Sequence, residues 1–408
     1  MGAALQVRGS QAGQPVASQS ASRAQPWHAL PRFALNRACV RSIIADIFDC
    51  ITIQGEVAAF LSGLKTGSHA AIVMNGRYVG YLAGDDPLYG FLSRIIRDLM
   101  EVHEANPAFR VFRLSGSNVV YAYQEKFSGT RIICKFYGPR FTDLDKAAWM
   151  ARQEYEGLET LRRYNLIGSP HHVIRPLGFS RDINGVLAVE YYAGEEFSQA
   201  IARATQHRDD RHLYRRLTAL ASFLAAQHDR TANGTAVDFG ADCGYLDTVT
   251  GRLRRAHRIG SDDADELARL RDRWRERPLM WQDQQVWLHG DATPANFLFG
   301  DGMDVAAIDL ERMKRGDRMF DVGRVAGELQ HAFMRDSGDR HRADPFIGHF
   351  LREYSSHFPD RRGMFESVTA RAPYYMALNL LRIARNDYID RDYGGRLTSQ
   401  AKRLLRAA

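Results

Sequence analysis

Long apolar runs, clustered cysteines and, over its first forty residues, acidic side chains are what this chain of 408 residues lacks. No stretch reaches the roughly 18 consecutive apolar residues of a membrane-spanning helix, so no transmembrane segment is expected. The four cysteines, Cys39, Cys50, Cys134 and Cys243, form no CxxC pair and no His/Cys metal spacing, which argues against a disulfide framework and a zinc module. Reduced thiols in a cytoplasmic protein are the expectation. The start of the chain has no apolar core of a secretory signal, and Gln6 stands where a myristoylation motif has Ser or Thr. A clustered basic face is missing too. Arg8, Arg23, Arg32 and Arg37, unopposed by any acid, supply four of the seven net positive charges, leaving +3 for everything after residue 40. The other arginine clusters alternate with acids as solvated helices do, so nucleic acid is not expected as a partner.

What is there is a globular composition, with 45% hydrophobic and 25% charged residues, in a chain long enough for a two-lobed enzyme with an extension. Residues 1–37 carry Ala, Ser, Gln and Gly without apolar periodicity. They read as a disordered tail, although an acid-free, Ser- and Arg-bearing stretch also resembles an organellar transit peptide. Residues 38–105 read as a small α+β appendage: two β-rich runs, 69–74 and 77–82, flank Asn75-Gly76, the dipeptide that favours a type I′ hairpin. Asp86-Pro87 then opens a helix with Leu88, Phe91, Leu92, Ile95, Ile96 and Leu99 at helical spacing, ended by Asn106-Pro107. Strands are expected over 109–114, 119–125 and 131–136, an amphipathic helix over 143–164, and strands over 173–179 and 186–192. Helices dominate beyond Phe197 except near 286–310. Strand-rich first and helix-rich second is the order of a two-lobed α+β enzyme, divided here into 106–192 and 193–408.

The strongest chemical signal is Trp287-Leu-His289-Gly290-Asp291-Ala-Thr-Pro294-Ala-Asn296, followed by Ile308-Asp309-Leu310-Glu311. Asn296 lies five residues after Asp291, and Asp309 thirteen after Asn296. The apolar runs at 297–299 and 305–308 flank Gly300-Asp-Gly302, and a hairpin there brings Asn296 and Asp309 together. Phosphoryl transfer needs a carboxylate to position the attacking hydroxyl and oxygen ligands for magnesium against the phosphates. Asp291 suits the first task, Asn296 and Asp309 the second. Any one of these residues alone would as readily tie down a loop; their order and spacing carry the reading.

The segment resembles the HGDxxxxN catalytic loop and IDxE metal site of the aminoglycoside phosphotransferase and choline kinase family. The resemblance spans residues 109–390 and implies a two-lobed protein-kinase-like fold, ATP (or GTP) as phosphate donor, Mg²⁺ as cofactor, and a small-molecule or carbohydrate hydroxyl as acceptor. It matches Asp291 to the catalytic aspartate, Asn296 to an amide metal ligand and Asp309 to the second metal ligand. His289 then supports the loop, Glu311 completes the pattern, and Asp321 in Phe320-Asp321-Val-Gly-Arg324 holds the catalytic loop, a role compatible with its also being a helix N-cap. Gly116, Ser117 and Asn118, between two expected strands, are placed for close backbone approach to phosphates. Lys135, on an apolar strand, implies a partner. Glu154 shares the apolar face of the 143–164 helix with Leu158 and Leu161, and resemblance and spacing together pair it with Lys135 at the α- and β-phosphates, with Glu156 as the alternative. Residues 185–194, including Glu190 and Tyr192, match the inter-lobe linker that contacts a purine edge, though a plain buried strand fits the same letters.

The acceptor is open. Arg371, Arg382, Arg385, Arg391 and Arg396 tilt the reading away from polycations, against Asp387, Asp390 and Asp392. Two alternatives stand beside a soluble small-molecule kinase: a lipopolysaccharide or glycan kinase with peripheral membrane contact, and a nucleotide-binding pseudokinase.

Overall fold

Period-2 alternation along short strands lets one sheet separate two cores. The computed structural model describes residues 76–114, 119–140 and 143–407. Six strands, β1 (Gly76–Tyr81), β2 (Phe109–Leu114), β3 (Val119–Glu125), β4 (Arg131–Phe136), β7 (Pro176–Ser180) and β8 (Val186–Glu190), form a sheet ordered β1-β2-β3-β4-β8-β7. All its pairings are antiparallel. On β4, Ile132 and Cys134 face a core shared with helix α1 (Pro87–Leu99), through Leu88, Leu92, Ile95 and Ile96. Burying each of those four side chains contributes about 1.5–3 kcal/mol. Asp86 caps α1, its carboxylate accepting from the Leu88 N–H at 2.8 Å, and Pro87 occupies the first turn as expected.

The boundary drawn at residue 105 needs correction. β1 pairs with β2 from Gly76↔Leu114 to Tyr81↔Arg110, and α1 packs beneath the same sheet, so residues 76–105 are part of the first lobe. The local Asn-Gly signal obscured this because the paired residues of β1 and β2 lie 29 to 38 positions apart in the chain. The other half of the expected hairpin, and the tail before it, lie outside the described residues. The single strand expected over 173–179 is two: β6 (His171–Val173) pairs parallel with β12 (Val305–Ala307), and β7 joins the first sheet.

Helix α2 (Leu144–Arg162) covers the opposite face of the sheet, with Ala147, Ala151, Glu154, Leu158 and Leu161 buried at i, i+4, i+7 spacing. The second lobe holds α3 (Phe197–His207), α4 (Asp210–Thr231), α5 (Phe239–Arg255), α6 (Ser261–Arg275), α7 (Met319–Ser337), α8 (Asp344–Ser356), α9 (Arg361–Ala384) and α10 (Arg391–Arg406). A five-stranded sheet, ordered β5 (Ile167–Gly168), β6, β12, β11 (Phe297–Phe299), β9 (Glu195–Glu196), and a small ladder of β10 (Val286–Leu288) with β13 (Lys314–Gly316), frame the loop at 289–296. Helices α7 and α9 cross closely at Gly323, where a Cβ would stand 2.2 Å from the Cβ of Tyr375. Beside the crossing, fully buried Arg371 donates to Asp317 at 2.8 Å and Asp283 at 2.6 Å, joining α9 to the chain ahead of β10 and α7. Among the described residues no helix is long and apolar enough to cross a membrane.

Candidate active site

Lys135 lies on the face of β4 opposite Ile132 and Cys134, which turns it toward α2. Its Nζ donates to Glu154 at 2.8 Å, to Asp309 at 2.5 Å and to Glu311 at 3.2 Å. Glu154 is therefore the partner, and Glu156 instead pairs with Arg152 on the exposed side of α2. Burial alone would lower the Lys135 pKa, but Glu154 and Asp309 outweigh it and hold the ammonium charged. Tyr137 donates a short hydrogen bond to Glu154. Desolvation raises the pKa of Glu154.

The loop from His289 to Asn296 is held by hydrogen bonds from its backbone and from its His, Asp and Asn side chains. Asp321, fully buried on α7, accepts from the backbone N–H groups of His289 at 2.6 Å and Gly290 at 3.0 Å, with His228 Nε2 at 3.4 Å. Burial would raise the Asp321 pKa, but the His228 hydrogen bond and nearby positive charge bring it below the ordinary carboxylate value. It does not cap the helix, since Asp317 accepts from the Met319 N–H at 2.9 Å instead. His289 has a defined tautomer. Its Nε2 meets the Ile308 carbonyl at 3.0 Å and so bears the proton, while Nδ1 accepts weakly from the Asp291 N–H at 3.4 Å. Gly290 has φ +79°, and a Cβ there would lie 1.9 Å from the Arg312 carbonyl oxygen, so no other residue fits.

The hairpin expected after the loop forms, with Phe297↔Ala307 to Phe299↔Val305 in register and the Ile308 N–H donating to the Asn296 carbonyl at 3.1 Å. It sets Asn296 beside residue 308. The Asn296 Nδ2 donates to the Asp291 carbonyl at 2.8 Å, which leaves its Oδ1 without a hydrogen bond among the described residues. Asp309 follows in left-handed conformation at φ +61°, strain of about 1–3 kcal/mol that a structural loop would shed. Oxygens of Glu154, Asp309 and Glu311 lie within 4.8 Å of one another. Three carboxylates share one lysine and, through Glu311, Arg140 at 3.1 Å and Arg312 at 3.8 Å. Hard oxygen donors with surplus negative charge, next to a free amide oxygen, are the donor chemistry that magnesium takes.

Asp291 has partners that the sequence reading did not assign. Its Oδ1 accepts from Arg324 Nη1 at 2.9 Å and Arg382 Nη1 at 3.3 Å, and its Oδ2 lies 3.7 Å from Arg312 Nε, beyond hydrogen-bond range. Arg324, buried, also donates to the Gly290 carbonyl at 2.6 Å. Its position three residues after Asp321 on α7 puts both on one helix face, a signal that was available in the sequence. Arg382 comes from α9, and nothing local announces its contact.

At the lobe junction, the Glu190 carboxylate is taken by His172 Nε2 and the Arg175 N–H, both at 2.6 Å, and the Glu190 N–H donates to the Arg175 carbonyl at 2.9 Å. Oε1 of that carboxylate and that N–H are thus already engaged. Tyr192 stacks on His172, ring centroids 5.5 Å apart. Gly116, Ser117 and Asn118 lie outside the described residues.

The two lobes and the Lys–Glu–Asp bridge between them define a protein-kinase-like fold, and solved structures agree. The aminoglycoside phosphotransferase APH(2'')-Ib, ADP-bound, is similar over 79% of this chain and 99% of its own, at 12% identity and a TM-score of 0.50. A Plasmodium vivax ethanolamine kinase is similar over 78% of this chain and 89% of its own, at 14% identity and a TM-score of 0.56. The model of the phosphotransferase enzyme family matches residues 110–364, and the chain belongs to that family. None of the curated proteins matches it in sequence.

Proposed function

We propose that the chain transfers the γ-phosphate of ATP to a hydroxyl of a small molecule, sugar or glycolipid. One observation carries the reading most: Lys135 of the first lobe is bonded at once to Glu154 and, 174 residues away, to Asp309 of the second. A purely structural lysine needs one carboxylate; a lysine that aligns phosphates beside a metal ligand needs this arrangement. Asp291 acts on the acceptor. With Oδ1 saturated by two arginines, Oδ2 is the oxygen that receives the acceptor hydroxyl and aligns it for in-line attack. Magnesium, held by Asn296 and Asp309, would neutralise charge on the phosphates. His289 and Asp321 hold the loop still, and Glu311 helps to set Lys135. Gly116, Ser117 and Asn118 are proposed for the phosphates, and residues near Glu190 and Tyr192 for the base.

Asp291→Asn tests this reading. Turnover should fall by about 10²- to 10⁴-fold, the scale of a lost positioned base, while nucleotide affinity stays within a few-fold of the parent. Unchanged turnover in a folded variant would remove Asp291 from the chemistry. Intact nucleotide binding without transfer in the parent protein, across a broad acceptor panel, would favour the pseudokinase alternative.

A further inference from the structure

Resting on the phosphotransferase reading, we infer that the acceptor carries an anionic oxyacid group, phosphate or carboxylate, bound by Arg385, Arg382 and Arg312 beside Asp291. Arg382 lies in the last turn of α9 and Arg385, three residues on, is its C-cap residue, while Arg312 follows Asp309 by three residues. Lys314, on β13, sets its Nζ 4.1 Å from the ring centroid of Phe320 and 6.0 Å from that of Tyr245, giving the cluster an aromatic border.

The acids available to these cations are few. Asp291 is shared by Arg324 and Arg382, and Glu328 is taken by Arg382 Nη2 at 3.2 Å and Asn379 Nδ2 at 3.2 Å. Glu311 faces Lys135 and Arg140, and Arg312 Nε lies 3.8 Å from the Glu311 Oε1 and 3.7 Å from Asp291 Oδ2, too far for a hydrogen bond to either. Arg385 has none: its side chain is only partly exposed and makes no hydrogen bond or ion pair among the described residues. Its charged neighbours are Arg252, Arg382 and Arg312, with the Tyr245 hydroxyl nearby. Burial, and then these like charges, lower its pKa. A half-buried guanidinium among three others is costly without a counter-anion, and two guanidinium forks one turn apart match the oxygens of a phosphate or carboxylate. A polycationic acceptor would meet repulsion here unless it displaced the arginines.

The test fills the nucleotide site first. The full chain, saturated with Mg²⁺ and the non-hydrolysable AMP-PNP so that every triphosphate position is occupied, is titrated calorimetrically with inorganic phosphate and, separately, with malonate. One of the two should bind at a single site with a Kd of about 1 mM or tighter. Arg385→Gln and Arg312→Gln should each weaken it about tenfold or more, as expected for losing one charge-assisted contact, with AMP-PNP affinity as the control. Stronger phosphate binding identifies a phosphomonoester acceptor; stronger malonate binding, a carboxylate. The inference is overturned if neither anion binds below about 30 mM, or if binding survives both substitutions undiminished. Arg312 lies on an exposed loop, so its variant stays informative should Arg385→Gln fold poorly. Failure of AMP-PNP itself to bind would count against the phosphotransferase reading, and titration of the free protein would still decide the arginine site.

Discussion

Replacing Asp321 with Asn isolates what the loop anchor does. The carboxylate is fully buried and accepts two backbone N–H bonds, from His289 at 2.6 Å and Gly290 at 3.0 Å. The amide keeps the shape but offers one oxygen, so its NH₂ must face one of those N–H donors. One charge-assisted bond is lost outright and the other becomes neutral. At about 1.5–3 kcal/mol for a bond to a charged group and about 0.5–1.5 for a neutral one, the cost is about 2.5–4.5 kcal/mol. That fits within the ordinary stability of a folded domain, about 5–15 kcal/mol, so the variant should fold with a clearly lower urea midpoint. Turnover should fall further than the folded fraction does, because a displacement of about 1 Å at Asp291 costs on the order of 10²-fold. Urea denaturation and steady-state kinetics on one preparation check both. Were Asp321 a helix cap, Asn would serve nearly as well and both effects would be close to zero. That result would refute the anchoring argument.

Asp309→Asn keeps the volume and removes an anionic ligand and one counter-charge of Lys135. Turnover should be lost and magnesium-dependent nucleotide affinity should fall at least about tenfold, measured by titrating the nucleotide with and without the metal. Asp242 supplies a pH dependence. Burial, and after it the neighbouring Asp317, push its carboxyl up to about 7, while the Tyr375 hydroxyl 2.9 Å away opposes the shift. Between pH about 4 and 7 the folded state therefore holds a proton that the unfolded chain releases, so stability falls as pH rises through that window and levels off above it. Asp242→Asn should remove up to about 4 kcal/mol of that slope, and a difference between the two unfolding profiles that is flat from pH 4 to 8 would contradict the assignment.

What the sequence revealed and what it hid divide by the distance over which each contact is specified. The hairpin joining Asn296 to Asp309 is written in a dozen consecutive residues, and Glu154 sits on a stripe that its own helix defines, so both were legible before any tertiary information. The strand at Gly76–Tyr81 was placed outside the first lobe because a strand's alternation states that it pairs but not with what; among the described residues its partner spans 110–114. The same limit applied to Asp291. Its motif announces a catalytic carboxylate, yet which of its oxygens is free depends on Arg382, 91 residues further along. That arginine is read from sequence only as one of several C-terminal arginines that tilt the acceptor away from polycations, and only the crossing of α7 and α9 at Gly323 and Tyr375 sets it against the loop. The consequence reaches the chemistry. A loop that spends its His and Gly groups and its Asn amide N–H on holding itself still, and one oxygen of its Asp on arginines, leaves a single Asp oxygen for the role proposed above, receiving the acceptor hydroxyl. On the acceptor reading proposed above, acceptor choice then rests with the arginines at the end of α9 and on the Asp309 loop, outside the motif from which the reaction is read.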